Sequence, residues 1–313
     1  MSGIAMDYTI AIVTRDRPAG LARLLDALRH CRLPTPLCTV LVVDNDPARS
    51  AAPVVAACAA GHPLALDYLH EPRPGVVFAR NAALDHARGT RLAFIDDDEE
   101  PDPGWLAGLA AAMDAGAAQA VSGPVRPIFA RPMPAWFGEA YALCYVRPPA
   151  NGSLSELMAG NLLLDRPFLA RHGLRFPAAL ATHGAEDTAL SALLLDAGGR
   201  LAWAADAVVR EHIPAERLRL AWLLARWYRY GMSDVRIRLL DQASPAVRLR
   251  AIWRGVLRVG GGGLLLLLAL PGLAVARPGP AVRCCYTIMR GLGMIAGALG
   301  FASEPYAVGS GRG

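Results

Sequence analysis

The chain contains no lysine; all 32 of its basic residues are arginine. That absence excludes a Schiff-base lysine and a phosphate-loop lysine, with the chemistry each would carry. In a sequence so rich in Ala, Gly and Pro, codon-usage bias is the simplest cause. Cysteine is scarce as well. Cys31, Cys38, Cys58, Cys144, Cys284 and Cys285 include no Cys-x-x-Cys pair, and their spacing does not suggest zinc. They read as reduced cytosolic thiols. The N-terminus lacks a basic region before an apolar stretch, so no signal peptide is expected. The sequon Asn151-Gly-Ser153 then carries no meaning. No internal repeat is found.

What the chain does have is length and apolar content. Its 313 residues allow one large domain with an appendage, or two domains. A hydrophobic fraction of 54% is high for a purely soluble protein. The net charge of +5 is unevenly spread: −5 over residues 1–209, +7 over 210–258 and +3 over 259–313. An acidic front with a basic rear fits a metal-using catalytic part joined to a surface that seeks anions, either phospholipid head groups or nucleic acid. No nucleic-acid partner is expected, because no such motif appears and a polyleucine run adjoins the basic segment.

The front half alternates strand-like and helix-like segments. Strands are expected at Tyr8 to Val13, Val40 to Val43, Leu64 to Leu69, Leu92 to Ile95 and Ala118 to Val121. Helices are expected around Leu21 to Leu28, Ala51 to Ala59, Val76 to Ala87 and Trp105 to Met113. Strands spaced by helices imply a mainly parallel α/β sheet. Thr14-Arg15-Asp16-Arg17, Asp44-Asn45-Asp46 and Asp96-Asp97-Asp98 each follow a strand, so all three clusters fall on one sheet edge. Open α/β sheets bind ligands at that edge.

The last cluster is the most informative. Adjacent carboxylates repel one another and are tolerable together when a cation neutralises them. Hard oxygen ligands suit Mg²⁺ or Mn²⁺, which in turn suit a diphosphate. The alternative is a solvated acidic turn opening the helix near Pro103. The convergence of the three clusters favours a metal–nucleotide site.

After about residue 125 the rhythm breaks at Pro124, Pro127, Pro132, Pro134, Pro148 and Pro149, and an irregular segment is expected. Order resumes over 156–170, and a helix follows Glu186-Asp187 to Gly198. Residues 216–258 read as Arg-rich amphipathic helices, and 259–313 as a hydrophobic, membrane-associating segment. Within it, 259–276 is uncharged and apolar but broken by Pro271-Gly272. Its length is near the lower limit for a bilayer span. A crossing helix, a re-entrant hairpin, an in-plane helix and a buried core helix all remain open.

Six pieces in order resemble a family 2 glycosyltransferase of the GT-A (nucleotide-diphospho-sugar transferase) fold. They are Ile12-Val-Thr-Arg-Asp-Arg-Pro18, Val42-Val-Asp-Asn45, Gly75-Val-Val-Phe-Ala-Arg-Asn81, Phe94-Ile-Asp-Asp-Asp98, the pair Gly160-Asn161 with Glu186-Asp187, and Glu211-His-Ile-Pro-Ala-Glu-Arg217. The likeness is nearest to bacterial exopolysaccharide enzymes such as the succinoglycan glucosyltransferase group. It implies a GT-A domain over 1–215 with a mainly parallel central sheet, followed by the C-terminal amphipathic and hydrophobic helices. It also implies a UDP-sugar donor (UDP-glucose favoured), Mn²⁺ or Mg²⁺, and a saccharide acceptor on polyprenyl diphosphate. The place of work would be the cytoplasmic face of the bacterial inner membrane, against an anionic membrane surface.

The resemblance also implies roles. Asp44 would accept the uracil N3–H, or else cap a turn. Arg80 would contact the nucleotide, or else form a surface ion pair. Thr14, Asp96 and Asp97 would lie at the nucleotide, Asp97 in particular being free to point away. Asp98, Asp96 and His212 would hold the metal. Gly160, Asn161 and Glu186 would lie on the acceptor side. Asp187 would be the catalytic base, or else cap its helix. Many members carry tyrosine where this chain has Arg15, whose guanidinium can also stack on a base. Two rivals remain. A sugar-phosphate nucleotidyltransferase would need a Gly-rich phosphate loop and a lysine, neither of which is present. A non-catalytic membrane-associated scaffold of the same fold would not need the intact carboxylates.

Overall fold

The computed structural model describes residues 7–146, 154–181, 184–274 and 278–301. The sequon at Asn151, Pro148 and Pro149 lie outside them. The chain begins β1 (Tyr8–Thr14), α1 (Pro18–Leu28), β2 (Cys38–Asp44), α2 (Ala52–Ala59), β3 (Ala65–His70), α3 (Val76–His86) and β4 (Arg91–Asp96). It continues β5 (Glu99–Pro101), α4 (Trp105–Gly116), β6 (Ala120–Ser122), β7 (Val125–Phe129) and α5 (Ala135–Tyr141). Then come β8 (Asn161–Asp165), α6 (Arg166–His172), α7 (Glu186–Asp196), β9 (Leu201–Trp203) and β10 (Val209–Ile213). Three helices close the described chain: α8 (Leu220–Asp241), α9 (Pro245–Ala274) and α10 (Gly279–Ala298).

The main sheet has the order β3-β2-β1-β4-β8-β6-β9. β1, β2, β3 and β4 are parallel, whereas β8 runs antiparallel to both β4 and β6. Successive residues of a strand face opposite sides of a sheet. Ile10, Ile12, Val40 and Val42 therefore enter one core with Leu21 and Leu25 of α1 and Trp105 of α4. Ala11, Leu41 and Val43 enter the other, with Val77 of α3, Leu169 of α6 and Leu190 of α7. These strands are apolar on both sides because helices cover both sides.

The segment after residue 125, expected to be irregular, instead supplies β7, the edge of a second sheet ordered β5-β10-β7. Proline removes a ladder donor but is tolerated on an edge strand, which is where Pro127 sits. Pro271 likewise leaves α9 unbroken to Ala274. Its missing N–H removes one ladder bond, and only three residues of the helix follow it. The change from arginine-rich to uncharged sequence at 258–259 falls inside this one helix.

Candidate active site

Asp44 ends β2 and Asp96 ends β4, and β1 lies between them in register. The acidic end of β4 is held by arginines. Arg17 Nη1 donates to Asp97 Oδ1 and to Asp98 Oδ2, each at 2.8 Å. Thr14 Oγ1 donates to Asp97 Oδ2 at 2.7 Å. Burial pushes the Asp97 carboxyl up to about 6, against the pull of Arg17. Asp97 thus faces inward and ties the end of β1 to β4. Asp98 is more open, and Arg217 Nη1 stands 3.7 Å from the same Oδ2 that Arg17 reaches.

Arg80, on α3, reaches the same place from below. It donates to Asp96 Oδ1 at 3.3 Å and to Glu186 Oε1 at the start of α7. Burial raises the Glu186 carboxyl while Arg80 draws it back. Asp187 follows on the first turn, half-buried, with Oδ1 accepting from the Thr188 N–H at 2.8 Å. Sequence had marked Arg80, Asp96 and Glu186 separately; here they form one continuous line of charge.

Gly160 lies against two carboxylates. A Cβ there would stand 2.6 Å from Glu99 Oε1 and 3.0 Å from Asp96 Oδ2. The missing side chain lets the Glu99 and Asp96 carboxylates close against the Gly160 backbone. Asn161, expected on the acceptor side, does something else. It is 0% exposed, accepts from Trp105 Nε1 at 2.8 Å, and donates to the Pro124 and Ala207 carbonyls. With donors and acceptor all used internally, it fastens β8 to α4 and does not face an acceptor.

The nucleotide side has its own wiring. Asp44 is fully buried and accepts from Asp46 N–H, Ala51 N–H and the Tyr68 hydroxyl. A base N–H would have to join or displace these donors. Arg15 is half-buried just past β1. Hydrogen bonds from Ser50 and the backbone hold Asp46 below the usual carboxylate range, and Arg15 adds to this. Asn45 donates to the Glu71 and Arg73 carbonyls and accepts from Gly75 N–H, fixing the loop that leads into α3.

His212 sits on β10 beside Asp98, but through its backbone: its N–H donates to the Asp98 carbonyl at 2.8 Å. Its ring Nε2 meets Glu100 Oε1 at 2.7 Å instead. Behind it lie residues that sequence reasoning missed. Glu211 accepts from the Tyr145 hydroxyl at 2.7 Å and from Arg217 at 3.1 Å. Glu99 faces Glu211 across the β5–β10 ladder. Burial and the surrounding carboxylates push the Glu99 carboxyl well up.

A divalent cation fits this donor set. Among the described residues, no three carboxylate or imidazole ligands converge on one point. Mg²⁺-type sites, however, commonly take one or two carboxylates and complete the shell with substrate phosphates and water. Asp96 and Asp98 are carboxylates of that kind, with side chains 41% and 19% exposed.

Comparison with known proteins identifies the family. Residues 9–166 match the sequence model of Glycosyl transferase family 2. The chain is 33% identical over 254 residues to the succinoglycan biosynthesis protein ExoM of Rhizobium meliloti, covering 81% of each chain. Its fold is similar to mannosyltransferase PcManGT of Pyrobaculum calidifontis, solved with GDP-Man and Mn²⁺ (TM-score 0.63, 21% identity, 94% and 88% covered). It is also similar to S. aureus TarS with UDP-GlcNAc (TM-score 0.54, 17% identity, 75% and 67% covered). With a matching family sequence model and a relative at this identity over most of its length, the chain belongs to glycosyl transferase family 2 and is a glycosyltransferase of the GT-A fold.

Proposed function

We propose that the protein moves a sugar from a UDP-sugar, UDP-glucose being favoured, to a saccharide carried on polyprenyl diphosphate, with inversion at the anomeric carbon. The observation that carries this is the line Asp96–Arg80–Glu186, which links the acidic end of β4 to the first turn of α7, where Asp187 stands. Asp187 would take the proton of the acceptor hydroxyl. The acceptor oxygen then attacks the anomeric carbon from the side opposite the diphosphate, the bond to the diphosphate oxygen breaks, and UDP leaves. Asp98 and Asp96 would hold Mn²⁺ or Mg²⁺, which when bound stabilises charge on the leaving diphosphate. Arg17 and Arg217, now on Asp98, are within reach to add positive charge there. Asp44 and Arg15 would hold the base.

Residues 1–215 would carry catalysis, 216–258 would form the basic helices, and 259–313 would associate with the membrane. The setting would be surface or exopolysaccharide synthesis, as the relative named for succinoglycan biosynthesis supports, and the place the cytoplasmic face of the inner membrane. The test is UDP release from UDP-sugars with Mn²⁺ and a membrane extract. Release is expected, and should vanish in Asp98→Ala and Asp187→Ala. No release with any UDP-sugar would sink the reading. A thermal-shift panel of nucleotide diphosphates, with and without Mn²⁺, identifies the base, because a ligand of the folded state raises its melting point.

A further inference from the structure

α9 is the outer layer of the C-terminal helices. It packs on α10, and α10 packs in turn on α8 and α5. Glycines mark the inner side of α9: Gly255 lies against Gly291 and Ile295, and Gly262 against Ile288. The opposite side covers nothing. Leu249, Trp253, Leu257, Leu264 and Leu268 are 69%, 61%, 55%, 63% and 72% exposed. Their spacings of four and seven put them on one helix face. An apolar stripe therefore runs along a helix of 30 residues, about 45 Å long at helical rise.

Arginine borders the stripe. Arg250, Arg254 and Arg258 are exposed and follow one another, one per turn, along its flank. Two clefts open beside α8. One is lined by Arg229, Arg236 and Arg248, the other by Arg238 with Arg250 and Arg254. Such a stripe, too long and too apolar to stay in water, bordered by fixed positive charge, is complementary to an anionic bilayer. Acyl chains take the leucines and lipid phosphates take the guanidinium groups.

By length and composition α9 would also suffice to cross a membrane. The packing argues against crossing. α10 lies alongside and carries Arg283 and Arg290, and Arg290 is paired with Asp234 of α8. Tyr286 of α10 meets Trp227 of α8 edge to face, with ring centroids 5.5 Å apart. A Cβ at Gly279, the start of α10, would lie 3.2 Å from Glu139 Oε2 on α5. If α9 crossed, it would draw these charges and the α5 cluster of Phe137 and Tyr141 into hydrocarbon, at high cost. Lying flat gives the stripe to lipid, with the exposed Val256, Leu265, Leu267 and Leu270 flanking it, and keeps α10, α8 and α5 out of hydrocarbon.

We infer that α9 is an in-plane, monotopic helix that seats the protein on an anionic phospholipid surface without crossing it; the inference rests on the proposed lipid-linked acceptor for its purpose. The test uses the full chain and vesicles of phosphatidylglycerol or phosphatidylcholine. Flotation is expected with phosphatidylglycerol. Replacing Arg250, Arg254 and Arg258 with Gln should weaken that partition by about fivefold per arginine. Leu264→Ser with Leu268→Ser should abolish it.

Lipids brominated at successive depths then report position by fluorescence quenching. Trp253 is read as the difference from Trp253→Phe, and two further probes are Leu264→Trp and Leu268→Trp. Equal depth at the three sites is the expected result. A crossing helix would instead separate the first and last by about 22 Å. Graded depth, no flotation, or a stripe buried between two copies that vesicles do not separate would each overturn the inference. The UDP-dependent thermal shift is measured on the same variants and should persist. Its absence in the unsubstituted protein, with flotation intact, would instead count against the proposed donor and leave the in-plane helix standing.

Discussion

Arg80 of α3 and Glu186 of α7 form an ion pair with side chains 6% and 8% exposed. Breaking a buried pair leaves an uncompensated charge. Glu186→Ala should therefore destabilise the fold by about 3–5 kcal/mol. Glu186→Gln keeps a hydrogen-bond acceptor and should cost about 1–3 kcal/mol. Urea midpoints at neutral pH measure both. Equal midpoints for Glu186→Ala and the unsubstituted protein would mean that the pair does not hold α7 in place.

Asp97 and Asp98 are neighbours with different expected phenotypes. Asp97→Ala strands the Thr14 hydroxyl and part of Arg17, so it should lower stability by about 1–3 kcal/mol. Asp98→Ala also removes a partner of Arg17 but strands no hydroxyl, so it should lower the urea midpoint less than Asp97→Ala while abolishing UDP release. A large stability loss in Asp98→Ala with activity retained would reverse the assignment.

Gly160→Ala inserts a methyl group 2.6 Å from Glu99 Oε1 and 3.0 Å from Asp96 Oδ2. Something must shift, and overpacking of this kind costs about 1–3 kcal/mol. Because Asp96 moves too, cation binding should weaken by about 10–100-fold. The Mn²⁺ concentration that gives half of the UDP-dependent thermal shift reads this directly.

Burial raises the Cys38 thiol to about 12 and the Cys31 thiol to about 11. In an unfolded chain a thiol ionises near about 8.5. The stabilisation from keeping Cys38 neutral is thus full below that pH and is lost as pH rises toward its folded value. Cys38→Ala should flatten the fall of the urea midpoint between about pH 9 and pH 11. At neutral pH a disulfide reagent should leave Cys38 unlabelled until denaturant is added.

Much of this architecture is legible in the chain. β1, β2 and β4 are short runs buried on both faces, so composition alone marks them. β10 is not legible: Val-Arg-Glu-His-Ile mixes charge with apolar residues because only its ends are buried. β5 has three residues and reads as part of an acidic turn. Their sheet unites segments more than a hundred residues apart, which no local pattern reports. The site divides the same way. Asp44, Arg80, Asp96 and Glu186 lie in recognisable local motifs. Arg17, Glu211 and Arg217 lie in such motifs too, but their contacts, like those of Glu99 outside any motif, follow only from the fold. Asn161 shows the converse: its motif suggested an acceptor contact, while its neighbours leave it no free hydrogen-bonding atom facing outward.

The close seams of the helical tail have a geometric consequence. A Cβ at Gly255 would meet the Gly291 carbonyl at 2.8 Å, and one at Gly297 would meet the Met232 carbonyl at 3.1 Å, so backbone rests almost on backbone. Helices this close pack with little room between their backbones. The height of Asp98 above whatever surface carries α9 is therefore set by stacked helices, each step about 8–10 Å. Were the acceptor lipid-linked, as proposed, its hydroxyl would have to climb that height to arrive. The tail would act as a ruler, passing over glycans too short to reach.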